Sequence, residues 1–504
     1  MAQGVLPYKY SEETKLSGLT ALGGLPVYLD LAQVLGLTRS IRRKMDVRRG
    51  GQGWTDAQVV MSLILLNLAG GSAVEDLRVL QEDEGFRCVL ERCELEGLSR
   101  AERRAMQRRW RKEKRRSVPS PSAVFRYMEA FHDESQEAKR VKGKAWIPKP
   151  TPALLGLQGV GQDLLAAVQR LRPEKTATLD MDATLAQTKK AEALWCYQGY
   201  KSYQPLNVWW AEQRLVVHSE FRDGNVPAGF EQLRVLQEAL DRLPAGVETV
   251  RLRTDTAGYE HALLQYCELG KNERFGRIEF AIGCDVTPEF KRCVARVPEA
   301  EWKPIWREAG GVPVKTGQEW AEVCFVPERM CNTKKGVYRF LAIRERLSQP
   351  SLPGMEPRLP FPVMPFSGHS YKIFGVVTNL TWHGEEVIHW QRLRCGNSEE
   401  AHSVMKEDLA GGTFPSGKFG VNAAWWAVMI LALNLNEAMK RLALGGKWVN
   451  RRLKAVRFEL IHLAGRVVER SRQLWIYLSK EASTLAWLKE IRLRIAGLAP
   501  PGVK

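Results

Sequence analysis

The chain has 504 residues, 44% hydrophobic and 26% charged, which excludes both an intrinsically disordered protein and a single compact core; about three units of ~150 residues are expected. Lysine and arginine number 75 against 57 acids, a formal net charge of +18, so a polyanion is the natural partner, through phosphate neutralisation and counterion release. Nine cysteines without a C-x-x-C pair exclude a disulfide framework and a structural zinc site, and Cys88 and Cys93 read as core thiols in a reducing cytosol.

The N-terminal "MAQGVLPYKYSEET" lacks a basic-then-apolar signal design. The apolar runs "VVMSLILLNLAG" (59–70) and "AAWWAVMILALNL" (423–435) fall short of the ~20 residues that span a bilayer. Both read as buried helices of a soluble, intracellular protein. Residues 1–150 read as a helical DNA-binding domain. Thr55 is the expected N-cap of a helix with Gln58 three residues on, and Gly70-Gly71 is its stop. The densest basic run is "ERRAMQRRWRKEKRRS" (102–117), where Arg108, Arg109, Arg111 and Lys112 are the expected DNA-backbone contacts. A second basic stretch, 138–152, ends in prolines and reads as a linker.

From about residue 170 to 290 the pattern changes. "KTATLDMDATL" reads as a strand, "PLNVWWAEQRLVVHSEFRDG" (205–224) as a hairpin, and "GFEQLRVLQEALDRLP" (229–244) as an amphipathic helix. Strand "VETVRLRTD" (247–255), helix "YEHALLQYCELG" (259–270) and strand "RIEFAIGCD" (277–285) follow. Three strands, then helix, strand, helix, strand is the opening of a ribonuclease-H-like α/β core rather than regular βαβ alternation. Residues 291–388 read as a β-rich insertion with strands at 320–327, 336–347 and 371–382 and a Pro-rich loop at 348–365. Residues 389–440 return to the core through the helix of "CGNSEEAHSVMKEDLAGG", and 441–504 read as a helical basic tail. The basic, amphipathic stretch 447–475 suits DNA or a second subunit equally.

Three acids stand out by position. Asp182 and Asp255 each end a strand, and Glu399 opens the helix after the insertion, with Ser398 as its N-cap. Strand ends in α/β sheets are where sites collect. Converging carboxylates repel unless cations compensate, and hard divalent metals with oxygen ligands are the natural partners. Asp180, two residues before Asp182 and on the same strand face, competes for the first role. Each acid alone also suits a turn, a cap or a first-turn helix position. Motifs of other catalytic designs, G-x-x-x-x-G-K-[ST], H-E-x-x-H and G-x-S-x-G, are missing from the sequence.

"LDMDATL" followed by "GYKSYQPL", then "VRLRTDTAGY", then "CGNSEEAHSVMKEDLAGG" with "FGVNAAWWAVMILALNL" resemble, in order and spacing, the bacterial insertion-sequence DDE transposases of the cut-and-paste type. The resemblance spans roughly residues 15 to 475. It implies a ribonuclease-H-like core interrupted by a β-rich insertion, with Asp182, Asp255 and Glu399 as catalytic, metal-binding acids. Lys406, seven residues after Glu399 and on one helix face with it, is the implied DNA contact. The arginine expected before the glutamate is matched by Arg394, one residue further away than usual, with Arg392 as a competitor. The usual tyrosine is replaced by His389 and Trp390. Glu400 as third acid would set Glu407 where the lysine belongs. The implied cofactor is Mg²⁺, for which Mn²⁺ can substitute. The implied partner is double-stranded DNA, as terminal inverted repeats and target, held by a homodimer in a synaptic complex without a membrane, in the bacterial cytoplasm and nucleoid-associated. A retired DNA-binding derivative and a host nuclease on the same core are the alternatives. Trp302, Trp306, Trp320 and Trp382 could flip a base, though a core role is expected of each.

Overall fold

The computed structural model describes residues 17–48, 53–96, 98–112, 116–141, 143–327, 338–347, 361–366, 368–471 and 473–499. The N-terminal "MAQGVLPYKYSEET" and residues 348–360 of the Pro-rich loop lie outside them. The chain forms two compact units. One comprises Met1–Glu134, Pro150–Leu171 and Val404–Lys504, and the other Ser135–Lys149 and Arg172–Ser403.

The second unit is built on a mixed sheet of ten strands. In chain order these are β1 (Thr176–Ala183), β2 (Leu206–Trp210), β3 (Leu215–Glu220), β4 (Thr249–Thr254), β5 (Glu279–Cys284), β6 (Lys303–Ala309), β7 (Val312–Val323), β8 (Arg339–Arg346), β9 (Val363–Phe366) and β10 (His369–Thr378). Helices α1 (Gln232–Arg242) and α2 (His261–Glu268) connect β3 to β4 and β4 to β5, and α3 (Gly384–Ser403) follows β10. The spatial order is β6-β7-β8-β10-β5-β4-β1-β2-β3, with β9 on β10. Strand β1 is central because "TLDM" is buried on both faces. It runs parallel to β4 and antiparallel to β2, and β4 is parallel to β5. The predicted run of three strands, helix, strand, helix, strand is found here.

The strands at 303–378 continue that sheet: β10 pairs antiparallel with β5, from Gly375 opposite Cys284 to Thr378 opposite Ala281. The sequence reading missed β6, which turns back into β7 through Gly310 and Gly311, both at positive φ. That pair is a hairpin signal in its own right, since glycine takes left-handed backbone without a Cβ penalty. A larger correction concerns α3. It starts at Gly384, so Glu399 lies near its end, and Ser398 is a buried residue within it rather than an N-cap. Gly396 costs the helix about 1 kcal/mol. Val387, Ile388 and Ala401 buried along the same helix offset that cost and carry it through.

In the other unit, the two long apolar runs form buried helices, as expected. Asp56–Ala69 opens with the Thr55–Gln58 capping box and closes at Gly70 with φ 97°. Phe419–Met439 packs against it and against Pro152–Leu171. The stretch Phe419–Leu444 is long and apolar enough to cross a membrane, but 89% of its apolar window is buried by the protein itself, as for a core helix. A Cβ on Gly420 would overlap the carbonyl oxygen of Phe131. Gly420→Ala is therefore expected to cost about 1–3 kcal/mol, seen as a lower thermal midpoint; an unchanged midpoint would show that the helix start can shift.

The expectation of a helical C-terminal region is corrected. Gly465–Arg470 and Gln473–Leu478 form a hairpin that pairs with Leu19–Thr20, ahead of a helix at Ala482–Gly497. Val467, Val468, Trp475, Ile476 and Tyr477 are β-branched or aromatic and favour a pleated surface, and Ser471 turns the chain at φ 52°. The eight cysteines among the described residues are all free.

Candidate active site

Asp182 stands at the end of β1, and Asp255 directly follows the parallel neighbour β4. Asp255 also caps the short turn Thr256–Gly258, its Oδ1 accepting from the Ala257 N–H at 2.9 Å. Arg394 of α3 donates to Asp182 Oδ2 at 2.9 Å, with the two side chains only 9% and 20% exposed. Burial pushes Asp182 up to about 6; Arg394 opposes that rise, while the charges of Asp255 and Asp180 add to it. Like charges are thus gathered around one buried cation.

Asp180 is placed differently. Its side chain is fully buried, and Arg253 grips both oxygens, Nε to Oδ1 at 2.6 Å and Nη2 to Oδ2 at 2.8 Å. The two residues face each other in the β1–β4 register. Arg253 also donates to the Trp390 carbonyl at 2.8 Å and lies over the Trp390 ring. Asp180 and Arg253 therefore lock β1, β4 and α3 together, two residues behind Asp182 and Asp255.

His402, near the end of α3, is buried with Nδ1 4.0 Å from Asp182 Oδ2. Its Nε2 lies 3.3 Å from the amide nitrogen of Asn207. Nδ1 is therefore the ring nitrogen that faces Asp182. Asn207 faces Asp182 across β1–β2 and accepts from the Ser219 hydroxyl at 2.6 Å. The available signal was spacing: Arg394, Ser398 and His402 recur every four residues, one helix face, and all three are buried.

Neither Glu399 nor Glu400 joins this pair in a cluster of three acids among the described residues. Glu399 is exposed on α3, and Glu400 is 3.9 Å from Arg214. Arg392 donates to Gln318 on β7 at 2.7 Å, leaving Arg394 as the arginine beside the aspartates. Lys406 lies in a π-helical turn, Val404–Asp408. Arg108, Arg109, Arg111 and Lys112 lie on the helix Arg100–Lys112, and their side chains are outside the described residues. Trp302 and Trp320 are buried, Trp382 packs on Trp390, and Trp306 is exposed.

Among the described residues, no three Asp, Glu, His or Cys side chains stand close enough to hold a metal ion together. The donor set at Asp182 and Asp255 nevertheless fits Mg²⁺, which takes one or two carboxylates and completes its shell with water and substrate phosphate.

The sequence matches the family model described as "Transposase DDE domain group 1" over residues 14–500. No curated protein matches the chain. Among solved structures, one similar chain is the piggyBac transposase in its synaptic complex with hairpin DNA, determined by cryo-EM. It is 9% identical, with a TM-score of 0.40, and the match covers 96% of this chain and 88% of that one. Because the family match spans nearly the whole sequence, this chain belongs to the DDE transposases.

Proposed function

We propose that this transposase cuts and joins DNA at the ends of a mobile element by phosphoryl transfer at Asp182 and Asp255. The observation that carries the reading is the placement of two coupled aspartates at the ends of adjacent parallel strands, in a sheet whose family is that of a DDE transposase. The order β3-β2-β1-β4-β5, with only β2 running against the other four, supports a ribonuclease-H-like core, with the strands at 303–378 as its β-rich insertion. The limits read from the sequence for the first part of the core, 170–290, and for the insertion, 291–388, belong to the same proposal.

Asp182 and Asp255 would hold the divalent ions, with Glu399 as third acid. Bound Mg²⁺, or Mn²⁺ in its place, would supply Lewis-acid activation of water and of the scissile phosphate. Arg394 neutralises the aspartate pair and holds Asp182 in one orientation. His402 faces the same carboxylate with Nδ1 at 4.0 Å, and Asn207 holds the other ring nitrogen, Nε2, at 3.3 Å. The basic N-terminal helix and Lys406 would contact phosphates, which position DNA without reading sequence. Double-stranded DNA with terminal inverted repeats, a homodimeric synapse and a nucleoid-associated cytoplasmic location belong to this proposal.

The test is excision of a marker flanked by the DNA that natively borders the gene. Wild type is expected to release and re-insert it, and Asp182→Ala and Glu399→Ala to abolish both steps. Activity kept by Glu399→Ala and lost in Glu400→Ala would move the third acid by one residue. Cutting without re-insertion would favour a nuclease. Tight binding of the flanks without cutting would leave a retired, binding-only protein.

A further inference from the structure

We infer that the small three-stranded sheet rising from the Asp182 end of β1 is a stacking platform for unpaired DNA bases. The inference rests on the DNA-cutting reading above. The sheet consists of Ala186–Gln187, Lys201–Tyr203 and Leu194–Trp195 in that spatial order. Its first strand begins four residues after Asp182, at most ~14 Å of extended chain. Across Trp195, Cys196 and Tyr197 the side chains alternate. Cys196 is buried, whereas Trp195 is 59% and Tyr197 79% exposed.

Two large rings left in solvent at this place need a partner with a flat face, and the surroundings favour an anion. Residues 186–203 carry Lys189, Lys190 and Lys201 against one acid, Glu192. Trp195 and Lys201 are opposite each other across the strands, so a base on the indole would bring its phosphate within reach of the ammonium. The Tyr197 ring is also tied to its neighbours. The Tyr197 hydroxyl accepts from the Gln198 amide at 3.3 Å, and the Tyr200 hydroxyl donates to the Gln198 carbonyl oxygen at 2.7 Å. From below, Arg140 ties Asp223 at 2.6 Å and the Glu192 carbonyl at 3.3 Å, and Tyr203 bridges Asp223. An aromatic ring held this way spends little side-chain entropy on binding. Duplex DNA hides its base faces, so the ligand class is a short single-stranded segment at a nicked or frayed end. Any base can stack there, because every base has a π-face.

The experiment compares two probes made from the flanking DNA: a blunt duplex, and the same duplex with a five-nucleotide single-stranded extension carrying 2-aminopurine. Full-length wild type is expected to prefer the extended probe and to change its 2-aminopurine fluorescence on binding. Trp195→Ala and Tyr197→Ala are each expected to weaken the extended probe about tenfold and to lose the fluorescence change, with blunt-duplex affinity unaltered. Trp195→Phe is expected to restore both. Both residues are exposed, and circular dichroism checks that the variants fold. Wild-type binding of both probes alike, or variants that bind like wild type, would overturn the platform while leaving the DNA-cutting reading intact. Failure of wild type to bind either probe would overturn both. Altered self-association in place of altered DNA binding would mark the surface as a protein contact and overturn the proposal.

Discussion

Asp182→Asn is expected to lose DNA cleavage by at least ~10³-fold, the scale of removing a key electrostatic group, while making the folded protein more stable. Burial and neighbouring carboxylates raise Asp182 to about 6 from 3.8. The folded chain therefore binds more protons at this group than the unfolded chain between about pH 4 and pH 6. The group's contribution to stability is thus greatest at low pH and declines as pH rises through that window. At neutral pH the ionised carboxylate costs about 1–3 kcal/mol, and asparagine removes that cost. Thermal unfolding at pH 5 and pH 7.5 checks this: the Asp182 contribution should make wild type lose more stability between the two than Asp182→Asn. Added Mg²⁺ is expected to raise the wild-type midpoint and not that of the variant, since a ligand stabilises only the fold that binds it. A variant less stable than wild type at pH 7.5 would mean that Arg394 depends on the charge more than the burial of Asp182 opposes it.

The second large effect is expected at Arg253. Arg253→Met would leave Asp180 fully buried without its bidentate partner, at a cost of about 3–5 kcal/mol. For a unit of this size each kcal/mol lowers the midpoint by roughly 2–4 °C. Because Arg253 also holds the Trp390 carbonyl, α3 would lose one of its ties to β4, and Mg²⁺ affinity is expected to fall about 10–100-fold. The double variant Asp180→Leu/Arg253→Met removes both charges and is expected to recover most of the stability without recovering the metal affinity. Recovery of both would reduce the pair to a stability element; recovery of neither would show that no apolar pair packs between β1 and β4.

Several features were legible because they are local. The capping box at Thr55 and Gln58 needs only its own turn, and the two apolar runs declare burial by composition. The placement of Asp182 and Asp255 at strand ends follows from short β-rich segments bounded by turn residues. The choice between Asp180 and Asp182 was not local. Both lie on the same face of β1 by alternation, and only the register against β4 shows Arg253 opposite Asp180.

By itself the sequence determined the basic, polyanion-seeking character of this chain, the family motifs and the order of strands and helices around the acids. Tertiary structure decided what surrounds Asp182: Asn207, Arg394 and His402 come from β2 and from a helix about 200 residues downstream. It also carried α3 through Gly396, moved Glu399 from the opening of that helix to near its end, and drew residues 465–478 into strands against Leu19–Thr20. The reason is the same in each case. Local propensities differ by about 1 kcal/mol or less per residue, so burial against a distant partner overrides them, and that partner is invisible until the chain is folded.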